Sequence, residues 1–106
     1  MKDEIKHLLG ELKAGLKAIY DDRLQGVYLY GSYARGQADT ESDVDVLVIL
    51  DYIDHYGAEV DRTGHLVSDL ALKYGVSISR IFVSQGDWVG RETPFLVNAR
   101  EEAIPV

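Results

Sequence analysis

Residues 30–50 read YGSYARGQADTESDVDVLVIL. Val44 and the run Val46–Leu50 have the continuous apolar character of a strand covered on both faces, yet Asp43 and Asp45 sit at its start. Side chains alternate along a strand, so these two carboxylates fall on one face. Like charges held one step apart repel each other. A hard divalent cation relieves that repulsion, and Mg²⁺ favours carboxylate oxygens while keeping waters and phosphate oxygens as its other ligands.

The upstream half of the same stretch bears on the same chemistry. Gly31 permits a backbone conformation that other residues resist and lets a ligand come close to the main chain. Ser32 adds a hydroxyl, and the N–H groups of the helical turn expected over Tyr33–Gly36 open toward an anion. Arg35 stands one turn on, where it either adds charge to phosphate oxygens or lies on the surface. Gln37 to Ser42 is a polar loop. A phosphate cradle beside a carboxylate pair suits phosphoryl or nucleotidyl transfer.

Outward from this stretch, Ile5, Leu8, Leu9, Leu12, Leu16, Ile19 and Tyr20 keep the spacing of one helical face and predict a helix over 3–20. Val27–Tyr30 follows Gly26 as a strand, and Asp43–Asp51 is the second. Val60, Val67, Leu70, Ala71 and Tyr74 predict a helix over about 55–74, with Gly75 in the place of a helix C-terminal glycine. Val76–Val83 is the third strand. Ser84 with Asp87, and Thr93 before Pro94, are helix-start signals, and Leu96, Val97 and Ala103 bury the last helix. The order predicts an α/β (α+β) domain over 1–106, with a small mixed sheet of about three to four strands covered by helices. If only one face of so small a sheet is covered, the pocket is shallow and a second chain completes it, either a copy or a helical partner.

The 106 residues fit one modest core, and the absence of cysteine removes disulfides, thiol nucleophiles and Cys-based zinc sites. A net charge of −7 argues against general nucleic-acid binding, though a bound cation reverses the local field for a single nucleotide. No apolar run approaches the ~20 residues that span a bilayer, and residues 1–20 lack the apolar core of a secretory signal. These features predict a soluble, cytoplasmic protein without a membrane. His7, His55 and His65 show no metal spacing with one another. Tyr28, Tyr30, Tyr52, Tyr56 and Trp88 read as core or partner surface, with one of them available to stack on a base.

Taken singly, Gly31 is a turn glycine, Ser32 a cap and Asp43 a turn acid. Their combination is more specific. Gly31-Ser32, ten intervening residues and Asp43-x-Asp45 match the motif of the DNA polymerase beta-like nucleotidyltransferase superfamily, and GSYARGQADTESDVDVLVIL resembles its minimal nucleotidyltransferase branch. The resemblance implies the nucleotidyltransferase fold and Mg²⁺-dependent transfer of a nucleoside monophosphate, AMP foremost, from an NTP such as ATP to a hydroxyl. It implies that Gly31 and Ser32 hold the triphosphate and that Asp43 and Asp45 bind metal and are catalytic. Many members of the branch are antitoxins encoded beside a helical HEPN-type RNase toxin, some of them attaching AMP to a toxin tyrosine.

This chain departs from the superfamily at one point. A third carboxylate usually stands on the strand beside the Asp pair, and Val76–Val83 contains no acid. Ser77 or Ser79 takes its place, Asp61 or Asp69 reaches in from the preceding helix, or turnover is weak and the protein neutralises its toxin by binding alone. Arg80 is either a phosphate contact or a solvated strand-edge cation. Related aminoglycoside-modifying enzymes need further substrate-binding structure, and templated polymerisation is disfavoured by size and acidity.

Overall fold

The computed structural model describes residues 2–39 and 41–106. Met1 and Thr40, the latter inside the polar loop expected over 37–42, lie outside them. Helix α1 (Asp3–Tyr20) buries Ile5, Leu8, Leu9, Leu12, Leu16 and Tyr20, the stripe that its three- and four-residue spacing predicts. A 3-10 turn, Asp21–Arg23, leads into strand β1, Leu24–Tyr30. β1 begins earlier than Gly26 suggested, because the ladder steps over an extra residue between Leu24 and Gly26. The unpaired residue is Gln25, and Gly26 beside it pairs with Ile49, so the bulge lets the strand run through the glycine.

Strand β2 (Val44–Leu50) pairs antiparallel with β1, setting Asp45 opposite Tyr30. It is shorter than expected at both ends. Asp43 precedes it, and Asp51 turns away to meet the Arg23 guanidinium at 3.1 Å. Helix α2 (Tyr56–Tyr74) then crosses over and strand β3 (Ile78–Ser84) returns parallel to β2, as a parallel pair requires. α2 stops at Gly75, whose left-handed backbone (φ 65°) lets its N–H reach the Ala71 carbonyl. Val76 donates to the same carbonyl, which draws it into the helix closure and delays β3 to Ile78.

Both helix-start signals operate. The Ser84 hydroxyl accepts the Asp87 N–H ahead of α3 (Gln85–Gly90), and the Thr93 hydroxyl accepts the Leu96 N–H ahead of α4 (Pro94–Glu102). A fourth strand, β4 (Ile104–Pro105), pairs antiparallel with β1 and gives the order β3-β2-β1-β4. Two residues are too few to show a period, so the sequence carried no sign of it.

The pleat of β2 builds two cores. Val44, Val46, Val48 and Leu50 pack with the apolar faces of α1 and α2. Leu47 and Ile49 pack on the other side with Val83, Leu96 and Ala99, rimmed by Tyr28, Tyr30 and Trp88. Both faces are therefore covered, which corrects the one-faced sheet considered above. Each such aliphatic side chain contributes about 1.5–3 kcal/mol by leaving water.

α2 itself carries one buried acid. Glu59 accepts hydrogen bonds from the Tyr20 hydroxyl (2.8 Å) and Arg62 Nε (3.0 Å), with Arg23 at 3.6 Å. Among the described residues no helix is long and apolar enough to cross a membrane.

Candidate functional site

The site forms where β1 ends and β2 begins. The chain leaves β1 at Gly31, whose φ is +76°. A β-carbon there would collide with Asp45 Oδ2, so glycine is required both by backbone conformation and by the closeness of the carboxylate. One closed turn follows. The Arg35 N–H donates to the Gly31 carbonyl at 3.1 Å and the Gln37 N–H to the Ser32 carbonyl at 2.9 Å. The turn does not extend into a helix, so it brings no accumulated helix dipole.

Asp45 is half-buried, while Asp43 is exposed just before the strand. Burial, and next the Asp43 charge, push the Asp45 carboxyl above its usual range, and Arg35 offsets part of this. The charges of Asp43 and Arg35 thus act on Asp45 in opposite directions. Arg35 is held across it, with Nε on Gln37 Oε1 (3.3 Å) and an ion pair to Glu102 at the end of α4 (3.5 Å). Asp43 also borders a cavity of about 490 Å³ with Ser42, Ser68, Leu72 and Ser77.

The donor set suits a hard divalent cation. Both charged donors are carboxylates, the charge of one disfavours that of the other, and one is partly removed from water. Among the described residues no three His, Asp or Glu side chains converge as a metal cluster, so such an ion would complete its shell with oxygens of water or substrate.

Of the two serines proposed for the third-acid position, Ser79 pairs directly with Asp45 and shares its face. Ser77 precedes β3 and gives its carbonyl to the Val44 N–H. Asp61 and Asp69 do not reach the site. Both are exposed on α2, which packs on the Val46 and Val48 face through Val67 and Leu70, opposite to Asp45. Arg80 fits neither sequence reading. Its guanidinium donates to Thr63 Oγ1 (2.7 Å) and the Val60 carbonyl (2.9 Å), fastening β3 to α2.

The aromatic residues divide likewise. Tyr28 packs on Trp88 at 4.9 Å and Tyr52 lies under Arg23 at 4.6 Å. Tyr30 stands edge-on to Phe95 at 5.9 Å. Burial, the Asp45 charge and Tyr56 all raise its hydroxyl's pKa. Phe95 and Glu102 carry no site signal in the sequence. They reach the site only through the packing of α4, and nothing in their local sequence announces it.

The nucleotidyltransferase domain model matches residues 9–84, a span containing β1, the turn, β2 and β3. The chain belongs to the nucleotidyltransferase domain family. It is an enzyme by family, and its relatives agree. A proposed protein adenylyltransferase of Methanocaldococcus jannaschii is 40% identical over 78 residues, covering 74% of this chain and 78% of the relative. A second from that organism is 39% identical over 75 residues, covering 71% and 69%. Among solved structures, a proposed minimal nucleotidyltransferase superposes with a TM-score of 0.59 at 26% identity, over 95% of this chain and 94% of that one. A toxin–antitoxin structure with AMP-PNP gives a TM-score of 0.60 at 20% identity, over 89% and 68%, which shows the shared fold. The four-stranded mixed sheet packed by helices is thus the nucleotidyltransferase fold expected from the sequence.

Proposed function

We propose that this nucleotidyltransferase moves AMP from ATP to a hydroxyl of a partner protein in a Mg²⁺-dependent reaction, and that it serves as the antitoxin to a helical HEPN-type RNase toxin. The observation that carries the reading is Gly31 resting against Asp45, with Asp43 and Arg35 in the same electrostatic site. In this reading residues 1–106 act as one minimal domain. The setting is cytoplasmic, where ATP and Mg²⁺ are abundant. Self-association remains compatible with it.

Gly31 and Ser32 hold the triphosphate through the open backbone and the hydroxyl, and Arg35 exchanges Glu102 for phosphate oxygens. Asp43 and Asp45 hold the cation, which supplies charge neutralisation at the transferring phosphoryl group and lowers the pKa of a bound hydroxyl. The names of the adenylyltransferase relatives and of the toxin–antitoxin neighbour support this assignment.

A second reading is favoured by one observation: β3 offers Ser79 where an acid would assist turnover. In that case the protein neutralises its toxin by contact alone. Incubation with α-phosphate-labelled ATP and Mg²⁺, with and without a toxin encoded beside it, separates the two. The expected result is label on the toxin, abolished by Asp43→Ala/Asp45→Ala. Inhibition of the toxin by wild type and double variant alike, without label, establishes the binding reading.

A further inference from the structure

Helix α4 ends on Arg100-Glu101-Glu102. A helix C-terminus is the negative end of the macrodipole and favours cations, so two acids in the last turn do not serve the helix itself. Arg100 has a structural task. Its guanidinium donates to the carbonyls of Trp88 (2.9 Å) and Arg91 (3.0 Å) and to Glu92 (2.9 Å), which holds α4 against α3. Glu102 points elsewhere. Its carboxylate lies 3.5 Å from Arg35 Nη1, on the turn that follows β1.

Fixed backbone presents both partners. On one side the Ala103 N–H closes α4 on the Ala99 carbonyl (2.8 Å), Ile104 pairs with Leu29, and the Val106 N–H donates to the Val27 carbonyl (2.9 Å). On the other side the turn is closed by its own hydrogen bonds, and Arg35 Nε rests on Gln37. The scaffold therefore keeps Glu102 beside Arg35 even when the ion pair opens, and such tethering gives the carboxylate a high effective concentration.

The pair is nonetheless displaceable. Both side chains are about half exposed, and their contact is longer than the roughly 2.7–2.9 Å of a charge-assisted hydrogen bond. A triphosphate offers a guanidinium more charge and paired oxygens. An exposed ion pair shifts a competing equilibrium by a factor of roughly two to five, enough to set an affinity without blocking it. We propose that Glu102 is an internal competitor of the nucleotide donor: its carboxylate holds Arg35 in the absence of nucleotide, and the triphosphate must displace it to bind. The exchange is a swing of one side chain, because the ladder of β4 on β1 anchors the backbone beside it. This rests on the nucleotidyltransferase reading above and adds a residue of α4, outside the hairpin, that sets the concentration of donor at which the site fills.

The test measures binding of ATP and of inorganic triphosphate, each with Mg²⁺, by titration calorimetry. Glu102→Gln is expected to tighten both ligands by the same factor, roughly two- to fivefold, because the competition is for phosphate. Glu101→Gln, which removes the same charge one residue away, should leave both affinities unchanged. In an Arg35→Gln background the gain from Glu102→Gln should vanish. A Glu102→Gln protein that binds no tighter, or that gains as much without Arg35, overturns the competition. Thermal melting separates this role from a structural one. Loss of an acid from the helix end should leave Tm nearly unchanged, and a clear fall in Tm with unaltered affinity would make the pair a brace of the fold. Carbon-13 NMR of the Glu102 carboxyl checks the displacement in wild type without any variant: the resonance should move on addition of inorganic triphosphate and Mg²⁺ but hold with Mg²⁺ alone, and no movement with ligand bound overturns the proposal. Wild-type protein that binds neither ligand overturns instead the nucleotidyltransferase reading beneath it.

Discussion

Gly31→Ala tests the site at its tightest point. Holding an alanine in the left-handed region costs about 1–2 kcal/mol. The new methyl also meets Asp45 Oδ2, and rotating that carboxylate some 30° off its preferred rotamer costs about 0.5–1.5 kcal/mol more. Together the variant should lose about 1.5–3.5 kcal/mol, which lowers a urea midpoint by roughly 1–2 M for a domain of this size. In an Asp45→Ala background the obstructing oxygen is gone and only the backbone part remains. A double-mutant cycle by urea denaturation without divalent ions should therefore return a coupling of about 0.5–1.5 kcal/mol. Equal costs in the two backgrounds would refute the contact between turn and carboxylate, and with it the joining of the two into one site.

Three further outcomes are expected. Burial and Asp43 raise the Asp45 pKa above its ordinary 3.8, so its contribution to stability is favourable below that value and is lost as pH rises through the raised one. Asp45→Asn should consequently match wild type in acid and be the more stable protein at neutral pH in EDTA; a neutral-pH melt showing no gain would contradict this. Burial pushes the Glu59 carboxyl up, but hydrogen bonds from Tyr20 and Arg62 and the charges of Arg62 and Arg23 outweigh it and hold the group below its ordinary 4.5. Its stabilisation is thus present above that value and fades as pH falls through the lowered one. Glu59→Ala should cost about 1–3 kcal/mol at neutral pH by stranding the buried Tyr20 hydroxyl, with the gap to wild type closing in acid. Thr93→Ala removes the cap of α4 and should cost about 1 kcal/mol, a fall in Tm of roughly 4–8 °C by calorimetry.

The parts of the fold that the sequence disclosed are those governed by local repetition. The apolar stripes of α1 and α2, the continuous core of β2 and the Ser84 and Thr93 caps each depend on neighbours within a few residues. Gly31, Ser32, Arg35, Asp43 and Asp45 could be picked out as candidates for the same reason, since one strand–turn–strand carries them all. Elements defined by long-range pairing were not. β4 exists because β1 offers it an edge. Gly26 belongs to a bulge that only the partner strand defines. Arg80 resembled a site cation until Thr63 and Val60, far from it in sequence, took up its donors. Phe95 and Glu102 gained their places by the same kind of distant packing.

The two halves of the chain are built separably. Tyr30 and Asp45 face each other on one antiparallel pair, so hairpin register alone fixes the turn against the carboxylates. Tyr56, Ile81, Arg91 and Phe95 come from the following half and meet the hairpin mainly through β3. Substitutions in that later half can reshape the opening these residues line while leaving the hairpin's own ladder intact. The register that brings Gly31 against Asp45 is thereby insulated from change in the second half of the chain.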